Sequence, residues 1–536
     1  MERRYSVQNI PMLPSFYDCI RTHLEKSCVI VMTTFRTFST GLLCLLAGAV
    51  FAQPPVTITV DTKAPGHIIP EDYLGVSYEM QGVLPDTNGV HLFRPGNKAL
   101  IRTFKTLGIK NLRVGGNTAD RLTIPVPVES DADSLFAFAK KADMDVIYTL
   151  RIHAGTPDKN APKLSMEMAG SANTTNAFVA PSKDSEHMKR AVEMARHIET
   201  KYKDLLTGFA IGNEPDVFST NYSDFKGSWI QFAEAITNAA PGAKFCGPAS
   251  TPTRVVWSRM FANDFADTGL VALITQHDYP GGDARAVTNK MVGRARILSP
   301  LRLDQYQRFY EVFATTAVSN GLPFRLEEAN SMYDGGAEDV SDTFASALWV
   351  LDFLHWWAAH QCAGINLHTG DKVAARDMNK RCRYALFWTS DKGYNVHPVG
   401  YGTKAFDVGG IGTSLPVATS GNYNTNAGTG VNLTAYAVRG EDGKYYVTVI
   451  NKEFGDPPCD VDANIDLGLP VKRVEVMYLT APDGNVAAKT GVTLGGAEIQ
   501  DNAVWKGKWT KLKGSAGPVK VRVPGASAAV VRLTVK

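Results

Sequence analysis

The sequence predicts an α/β protein: a (β/α)8 TIM barrel followed by a C-terminal all-β sandwich domain. Two observations carry that prediction. Between about residues 73 and 370, eight short β-type runs alternate with longer stretches of helical periodicity, the pattern of a parallel sheet wrapped by helices. After about residue 405 the helical period vanishes, and alternating strands are punctuated by Gly, Asn and Asp, as in a sandwich.

The eight runs are Tyr73–Glu79, Lys110–Gly116, Asp145–Arg151, Gly208–Glu214, Lys244–Pro248, Ala272–Tyr279, Phe324–Glu328 and Gly364–His368. Amphipathic helical stretches such as Ser185–Lys203 and Asp342–His360 separate most of them. A parallel arrangement of eight strands points to a closed barrel. A doubly wound open sheet would bring a Gly-rich phosphate loop after its first strand, and Met80-Gln-Gly-Val83 stands there instead. Downstream, Lys444–Ile450 and Ala528–Val535 alternate in the manner of sandwich strands. Val56–Val60 alternates likewise and is expected to join that sandwich. The domains so read are 1–52, a leader; 53–72, the N-terminal strand; 73–405, the barrel; and 406–536, the sandwich.

Length and composition agree. The chain has 536 residues, 44% of them hydrophobic and 20% charged, which excludes a disordered or coiled-coil architecture. Lys+Arg number 56 and Asp+Glu 53. Setting aside residues 1–52, which carry five basic and three acidic side chains, leaves 51 against 50. So even a balance gives no global field for a nucleic acid or an anionic membrane. Any anionic ligand must be held by a local cluster.

Thr40–Ala52 is a short apolar run that follows Arg36 and ends in small residues. It reads as a signal peptide spanning about 32–52, with residues 1–31 lying upstream of an apparent start at Met32 and cleavage before Gln53. A secreted or periplasmic location is the expectation. No other apolar stretch approaches the roughly 18 residues a spanning helix needs, so no transmembrane segment is expected in the mature chain. Cys246, Cys362, Cys382 and Cys459 are scattered without CxxC or metal-ligand spacing. Four free thiols is the simpler reading, one disulfide the alternative.

In such a barrel the C-terminal strand ends line the catalytic mouth. Read in order, they offer Glu79, Asn117, Asn213-Glu214, His277 and Tyr279, Glu327-Glu328, and His368. The set is rich in carboxylates, with no plausible Ser-His-Asp arrangement and no HExxH. A lone strand-end glutamate is most often a solvated rim residue. Two glutamates, at the ends of the fourth and seventh strands, project toward the barrel centre from opposite sides. That arrangement suits glycoside cleavage, in which one carboxylic acid protonates the leaving oxygen and a second carboxylate attacks or activates water. His277 and His368 lack a carboxylate–histidine ligand spacing, so ordinary hydrogen-bonding histidines are expected, with no metal and no cofactor.

Gly212-Asn-Glu-Pro215 resembles the acid/base motif of the retaining glycosidase clan built on (β/α)8 barrels. Arg325-Leu-Glu-Glu-Ala-Asn-Ser331, Gly335-Gly336, Ser341–Ala347 and Leu112-Arg-Val-Gly-Gly116 with Asp120 are more particular. They resemble the heparanase and β-glucuronidase family, glycoside hydrolase family seventy-nine, over roughly residues 70–406. The sandwich that follows fits the layout of that family. The resemblance implies Glu214 as acid/base and Glu328, rather than Glu327, as nucleophile. It implies Tyr279 as the hydroxyl that orients the nucleophile, and Glu79, Gln81 and Asn117 as partners of sugar hydroxyls; Asn213, just before the acid, can itself hydrogen-bond a sugar hydroxyl. The backbone N–H of Cys382, standing where a Gly is common, and the hydroxyl of Tyr384 would hold a uronate carboxylate. Strand alternation adds that only one of Glu327 and Glu328 should face the lumen, leaving the other to pair with Arg325 or another base. Lys372, Arg376, Lys380, Arg381 and Arg383 form a basic loop, read either as a local anion-binding field or as a solvated surface.

These readings converge on a retaining β-glycosidase whose partner is a carbohydrate bearing β-linked uronic acid. An endo-acting heparanase-like enzyme, a non-catalytic carbohydrate-binding protein on the same scaffold and a metal-dependent hydrolase are the alternatives. The oligomeric state is left open.

Overall fold

The computed structural model describes residues 55–152, 186–219, 221–373, 377–421, 430–455, 459–513 and 517–536. The leader expected at 1–52, and Arg376 of the basic loop, lie outside them.

Eight parallel strands close into a barrel. In chain order they are β1 Leu74–Glu79, β2 Asn111–Gly115, β3 Asp145–Leu150, β4 Leu206–Ile211, β5 Phe245–Ser250, β6 Val271–Asp278, β7 Phe324–Ala329 and β8 Ile365–His368, which returns to pair with β1. They coincide with the eight runs read from the sequence. Every residue of β2, β5, β7 and β8 is buried, because helices cover the outer face and side chains fill the lumen. The first crossover helix, Lys98–Leu107, shows the local logic. The Asn97 side chain caps its N-terminus by accepting from the Leu100 N–H, and left-handed Gly108 ends it. Leu100, Ile101, Phe104 and Leu107 form the buried stripe between these caps.

The lumen is unusually polar. At its base the Arg325 guanidinium donates to Asn366 Oδ1 (2.6 Å) and Asp72 Oδ2 (3.0 Å), and Asn366 Nδ2 donates to Asn111 Oδ1 at 2.8 Å. A buried guanidinium needs such partners to offset its desolvation. Arg325 is therefore taken up by Asp72. Of the two partners expected for Glu327, Arg325 or another base, it is another base, Arg113, that lies beside it at 3.8 Å.

The helix Phe344–Ala359 departs from the amphipathic pattern expected of Asp342–His360, with every residue but Ala359 buried. The physical reason is its position: one side packs on the barrel and the other on the sandwich, leaving no face for water. On the sandwich side Asp352 accepts from Lys452 Nζ at 2.6 Å and from the Thr434 and Tyr436 hydroxyls, both at 2.7 Å. The His355 ring stacks on Tyr436, and burial pushes its pKa down to about 3, keeping it neutral.

The sandwich has two sheets. In one, Val56–Val60 lies between Val417–Ser420, antiparallel, and Val461–Asp466, parallel, with Val519–Val523 beyond. The other is built on Leu433–Arg439, Tyr445–Asn451, Ser527–Val535 and Val471–Thr480. Between them pack Ile58, Val60, Val447, Val449, Ala463, Val521 and Val531, the inward half of each alternating strand. The last barrel helix, Pro398–Gly409, runs past residue 405 before these strands begin. Cys246, Cys362 and Cys382 are buried free thiols. Among the described residues no helix is long and apolar enough to cross a membrane.

Lys452 and Asp352 are 2% and 5% exposed, so removing one charge strands the other in the interior. Lys452→Met is expected to destabilise the fold by about 3–5 kcal/mol. The double variant Lys452→Met/Asp352→Asn should recover part of that loss. Calorimetry checks this: a single variant that melts with the parent protein would show that the pair does not secure the two layers.

Candidate active site

The mouth of the barrel is organised around Arg113. On β2, Asn111, Arg113 and Gly115 share the inward parity while Leu112 and Val114 face the helices, so alternation drives a cation into the lumen, where it is fully buried. Its Nη1 donates to Glu328 Oε2 at 2.6 Å and to Ser77 Oγ at 3.1 Å, and its Nη2 donates to Asn213 Oδ1 at 2.7 Å. One side chain from β2 thus fixes residues from β1, β7 and the end of β4. The Gly115-Gly116 pair follows from this crowding. A Cβ on Gly115 would lie 2.4 Å from the Arg113 guanidinium carbon, and one on Gly116, whose φ is +67°, would lie 2.5 Å from the Glu79 carboxylate.

Glu328 sits at the end of β7, 6% exposed. Its Oε1 accepts from the Tyr279 hydroxyl at 2.8 Å, as the sequence reading implied. His368 Nδ1 lies 3.7 Å from Oε2, and His277 Nδ1 lies 3.9 Å from Oε1. Burial alone would raise its pKa, but the charges of His368, His277 and Arg113, together with the Tyr279 hydrogen bond, outweigh it. The carboxyl is held well below the usual carboxylate range and is ionised.

Glu214 follows β4 in the left-handed region, at φ 46° and ψ 56°, a strained position for a residue with a Cβ. Hydrogen bonds hold the turn there. The Asn213 N–H donates to Asp120 Oδ2 at 2.7 Å, and the Glu214 N–H donates to the Ala249 carbonyl at 3.0 Å. Asp120 also receives the Ile152 N–H at 2.8 Å, which gives it a structural part in clamping the ends of β3 and β4. The Glu214 carboxyl meets His277 Nδ1 at 3.0 Å. Here burial wins: it raises the Glu214 pKa despite the opposing His277, with the Glu328 charge adding to the rise. Oxygens of Glu214 and Glu328 and a ring nitrogen of His277 all lie within 4.8 Å of one another. That spacing would also suit metal ligands, but Arg113, bonded to Glu328 from within the lumen, already supplies a positive charge. The environments of the two carboxyls therefore push in opposite directions, Glu214 toward its protonated form and Glu328 toward its ionised form.

Glu327 overturns the expectation drawn from alternation. Across the β6–β7 pairing, Gln276 faces Leu326 and His277 faces Glu328, leaving Glu327 as an extra residue. Such a bulge breaks the two-residue period, so Glu327 and Glu328 both turn toward Arg113 and His277. Glu327 is fully buried.

Of the other residues expected to bind sugar hydroxyls, Glu79 accepts at Oε2 from the Thr118 N–H at 2.8 Å and the Thr118 hydroxyl at 2.7 Å, while its Oε1 lies 3.7 Å from His368 Nε2. Gln81 lies in the turn Met80–Val83, partly exposed, and Asn117 is exposed beyond the end of β2. Tyr384 is buried beside the site, its ring centroid 6.2 Å from Tyr279 and 5.9 Å from His368. The Cys382 N–H, however, donates to the Asp371 carbonyl at 3.2 Å, closing the base of the hairpin Lys372–Val373/Asp377–Arg381. It is not the free donor expected there, because the hairpin uses it. The basic loop is also largely engaged. Arg383 pairs with Glu338 at 2.5 Å and Asp342 at 3.4 Å, and Arg381 stacks 4.6 Å over Trp388; Lys372 and Lys380 are exposed. Sequence reasoning missed the central roles of Arg113 and His277. The inward parity of Arg113 was the available signal.

Comparison with known proteins follows this geometry. Residues 435–530 match the model described as the glycosyl hydrolase family 79 C-terminal beta domain. A β-glucuronidase of Aspergillus niger is 23% identical over 192 residues, covering 31% of this chain. That match spans 34% of the relative, about a third of its length. Among solved structures, a 4-O-α-L-rhamnosyl-β-D-glucuronidase from Fusarium oxysporum superposes with a TM-score of 0.62 at 16% identity, covering 89% of this chain and 99% of that one. A family 51 arabinofuranosidase from Xanthomonas axonopodis pv. citri gives 0.61 at 15% identity, covering 90% and 100%. At these identities the superpositions speak for the shared barrel-and-sandwich fold. The C-terminal domain match and the curated relative support the resemblance to glycoside hydrolase family seventy-nine that the strand-end motifs carry.

Proposed function

We propose that this protein is a retaining β-glycosidase, and within that class a β-glucuronidase releasing terminal β-linked uronic acid from glycans or glycoconjugates. The observation that carries the retaining mechanism is the approach of Glu214 and Glu328 oxygens to within 4.8 Å. Retaining enzymes hold their carboxyls about 5–5.5 Å apart, whereas inverting enzymes need about 6.5–9.5 Å to admit a water.

The chemistry follows from the protonation states. Ionised Glu328, held by Arg113 and Tyr279, attacks the anomeric carbon as the glycosidic bond breaks. Glu214, its pKa raised by burial, gives its proton to the leaving oxygen. In the second step Glu214, now a carboxylate, takes a proton from water. The water oxygen bonds to the anomeric carbon, and Glu328 is released. Each group does at neutral pH what its environment has prepared it for.

The uronide preference draws on the A. niger and F. oxysporum relatives, whose names specify glucuronidase activity, and on Tyr384 beside the nucleophile. With the Cys382 amide engaged, the Tyr384 hydroxyl, which also meets Tyr279, is the group in that segment that would donate to the sugar carboxylate. Against a heparanase-like endo enzyme, Arg383 is spent on Glu338 and Asp342, and Arg381 on Trp388.

Glu328→Gln and Glu214→Gln should each lower kcat by on the order of 10²–10⁴-fold with the fold intact. NMR of the first-formed sugar should show retained β configuration. An α product, or a dead Glu327→Gln beside an active Glu328→Gln, would contradict the assignment. A single charge-assisted hydrogen bond, worth about 1.5–3 kcal/mol, favours an aryl β-glucuronide over the matching β-glucoside by roughly tenfold or more. Tyr384→Phe should narrow that ratio. Equal turnover of the two sugars by the unmodified protein would leave a retaining glycosidase of a neutral sugar.

A further inference from the structure

Glu327 has no part in the displacement just described, yet it lies at its centre. Its side chain is fully buried, and neither carboxylate oxygen receives a hydrogen bond among the described residues. Its Oε1 lies 3.7 Å from His277 Nε2 and 3.8 Å from Arg113 Nη2. His277 Nε2 is likewise without a hydrogen-bond partner, while its Nδ1 meets Glu214. The imidazole therefore stands between two carboxyls, one on each side.

We propose that Glu327 is a positioning residue for the acid/base: its carboxylate, set against the far side of His277, matches the imidazolium and so lets Glu214 hold its proton. The proposal rests on the reading of Glu214 as acid/base. The groups involved come from every strand packed here. Arg113 faces Glu327 from β2, the Cys246 thiol from β5 and His277 from β6, with Glu328 beside it on β7. Glu214 is faced by His277, Glu328 and Asp216. At the rim Glu79 and His368 offset one another.

A count of charges shows why an unbonded carboxylate is useful. Before reaction, Arg113 and His277 are cations, Glu327 and Glu328 are anions, and Glu214 is neutral, so the set sums to zero. In the first step the Glu328 oxygen bonds to the anomeric carbon and loses its charge. Glu214 loses its proton to the leaving oxygen and gains one. The sum is again zero, and the second step reverses both changes. Glu328 and Glu214 still face His277 when Glu327 is removed, so the ring stays a cation and the set carries an extra positive charge throughout. An added positive field favours the ionised form of a carboxyl, so Glu214 would give up its proton at lower pH. The direction of the His277 shift agrees. Burial would lower its pKa, but Glu328, Glu214 and Glu327 raise it to about 10.

The test is the pH profile of kcat/KM on phenyl β-glucuronide, whose leaving oxygen needs protonation. In Glu327→Gln the alkaline limb should move to lower pH by about one unit or more, a roughly tenfold loss above the parental limb, with melting temperature near the parent's. Glu327→Asp, which keeps the charge, should hold the limb close to the parental position. An unmoved limb in Glu327→Gln, or an equal shift in Glu327→Asp, would overturn the proposal. Should Glu327→Gln fail to fold, the ring ¹⁵N shifts of His277 in the unmodified protein decide. An imidazolium at pH 7.5 is expected, and a neutral ring there would overturn it. Persistence of the alkaline limb in Glu214→Gln would instead refute the acid/base reading itself.

Discussion

A guanidinium sealed inside a barrel must be matched by negative charge and hydrogen-bond acceptors, or the fold loses several kcal/mol to desolvation. Arg113 is that guanidinium, and the mouth of this barrel is arranged to satisfy it. Glu328 and Asn213 are bonded to it, Ser77 supports it from β1, and Glu327 lies just beyond hydrogen-bond reach. Burial works to lower its pKa, and Glu327 and Glu328 act to raise it, leaving it firmly charged. The same contacts that satisfy the cation fix the carboxylate that acts on the sugar. Stability and preorganisation therefore come from one set of bonds.

From this follows the asymmetry between the two glutamates. Glu328 takes two direct hydrogen bonds, from a cation and a phenol, and stays ionised. Glu214 sits on a strained turn, its carboxyl turned toward a single imidazole, and burial raises its pKa. Two identical side chains thus acquire opposite roles through their neighbours. His277 touches both, and the bulge at Glu327 brings a third carboxylate to its far side. Asp120 and the backbone around Ala249 secure the left-handed turn that aims Glu214 into the gap.

Much of this was legible in the sequence because period and punctuation report backbone geometry. All eight barrel strands emerged from their alternation with helices, and Glu214 and Glu328 from standing at strand ends. What failed did so for local reasons. A one-residue bulge erased the parity argument that separated Glu327 from Glu328. Arg325 found Asp72 rather than a neighbouring glutamate, a contact 253 residues apart along the chain. The Cys382 amide was consumed by a hairpin whose register no spacing announces. The Phe344–Ala359 helix lost its polar face to a second layer that the helical pattern does not encode. Arg113 was in view within Leu112-Arg-Val-Gly-Gly116, but its role depends on partners drawn from three other strands.

The claim on which the account stands is that Glu328 forms a covalent bond to the sugar. Incubation with a 2-deoxy-2-fluoro-β-glucuronosyl fluoride, which slows release of the intermediate, followed by peptide mass spectrometry, tests it directly. The expected result is one fluoroglucuronosyl group per chain, carried on Glu328 within the peptide containing Arg325–Ser331. Modification of Glu327 or Glu214 instead, or turnover of the reagent with no adduct at any time point, would contradict it.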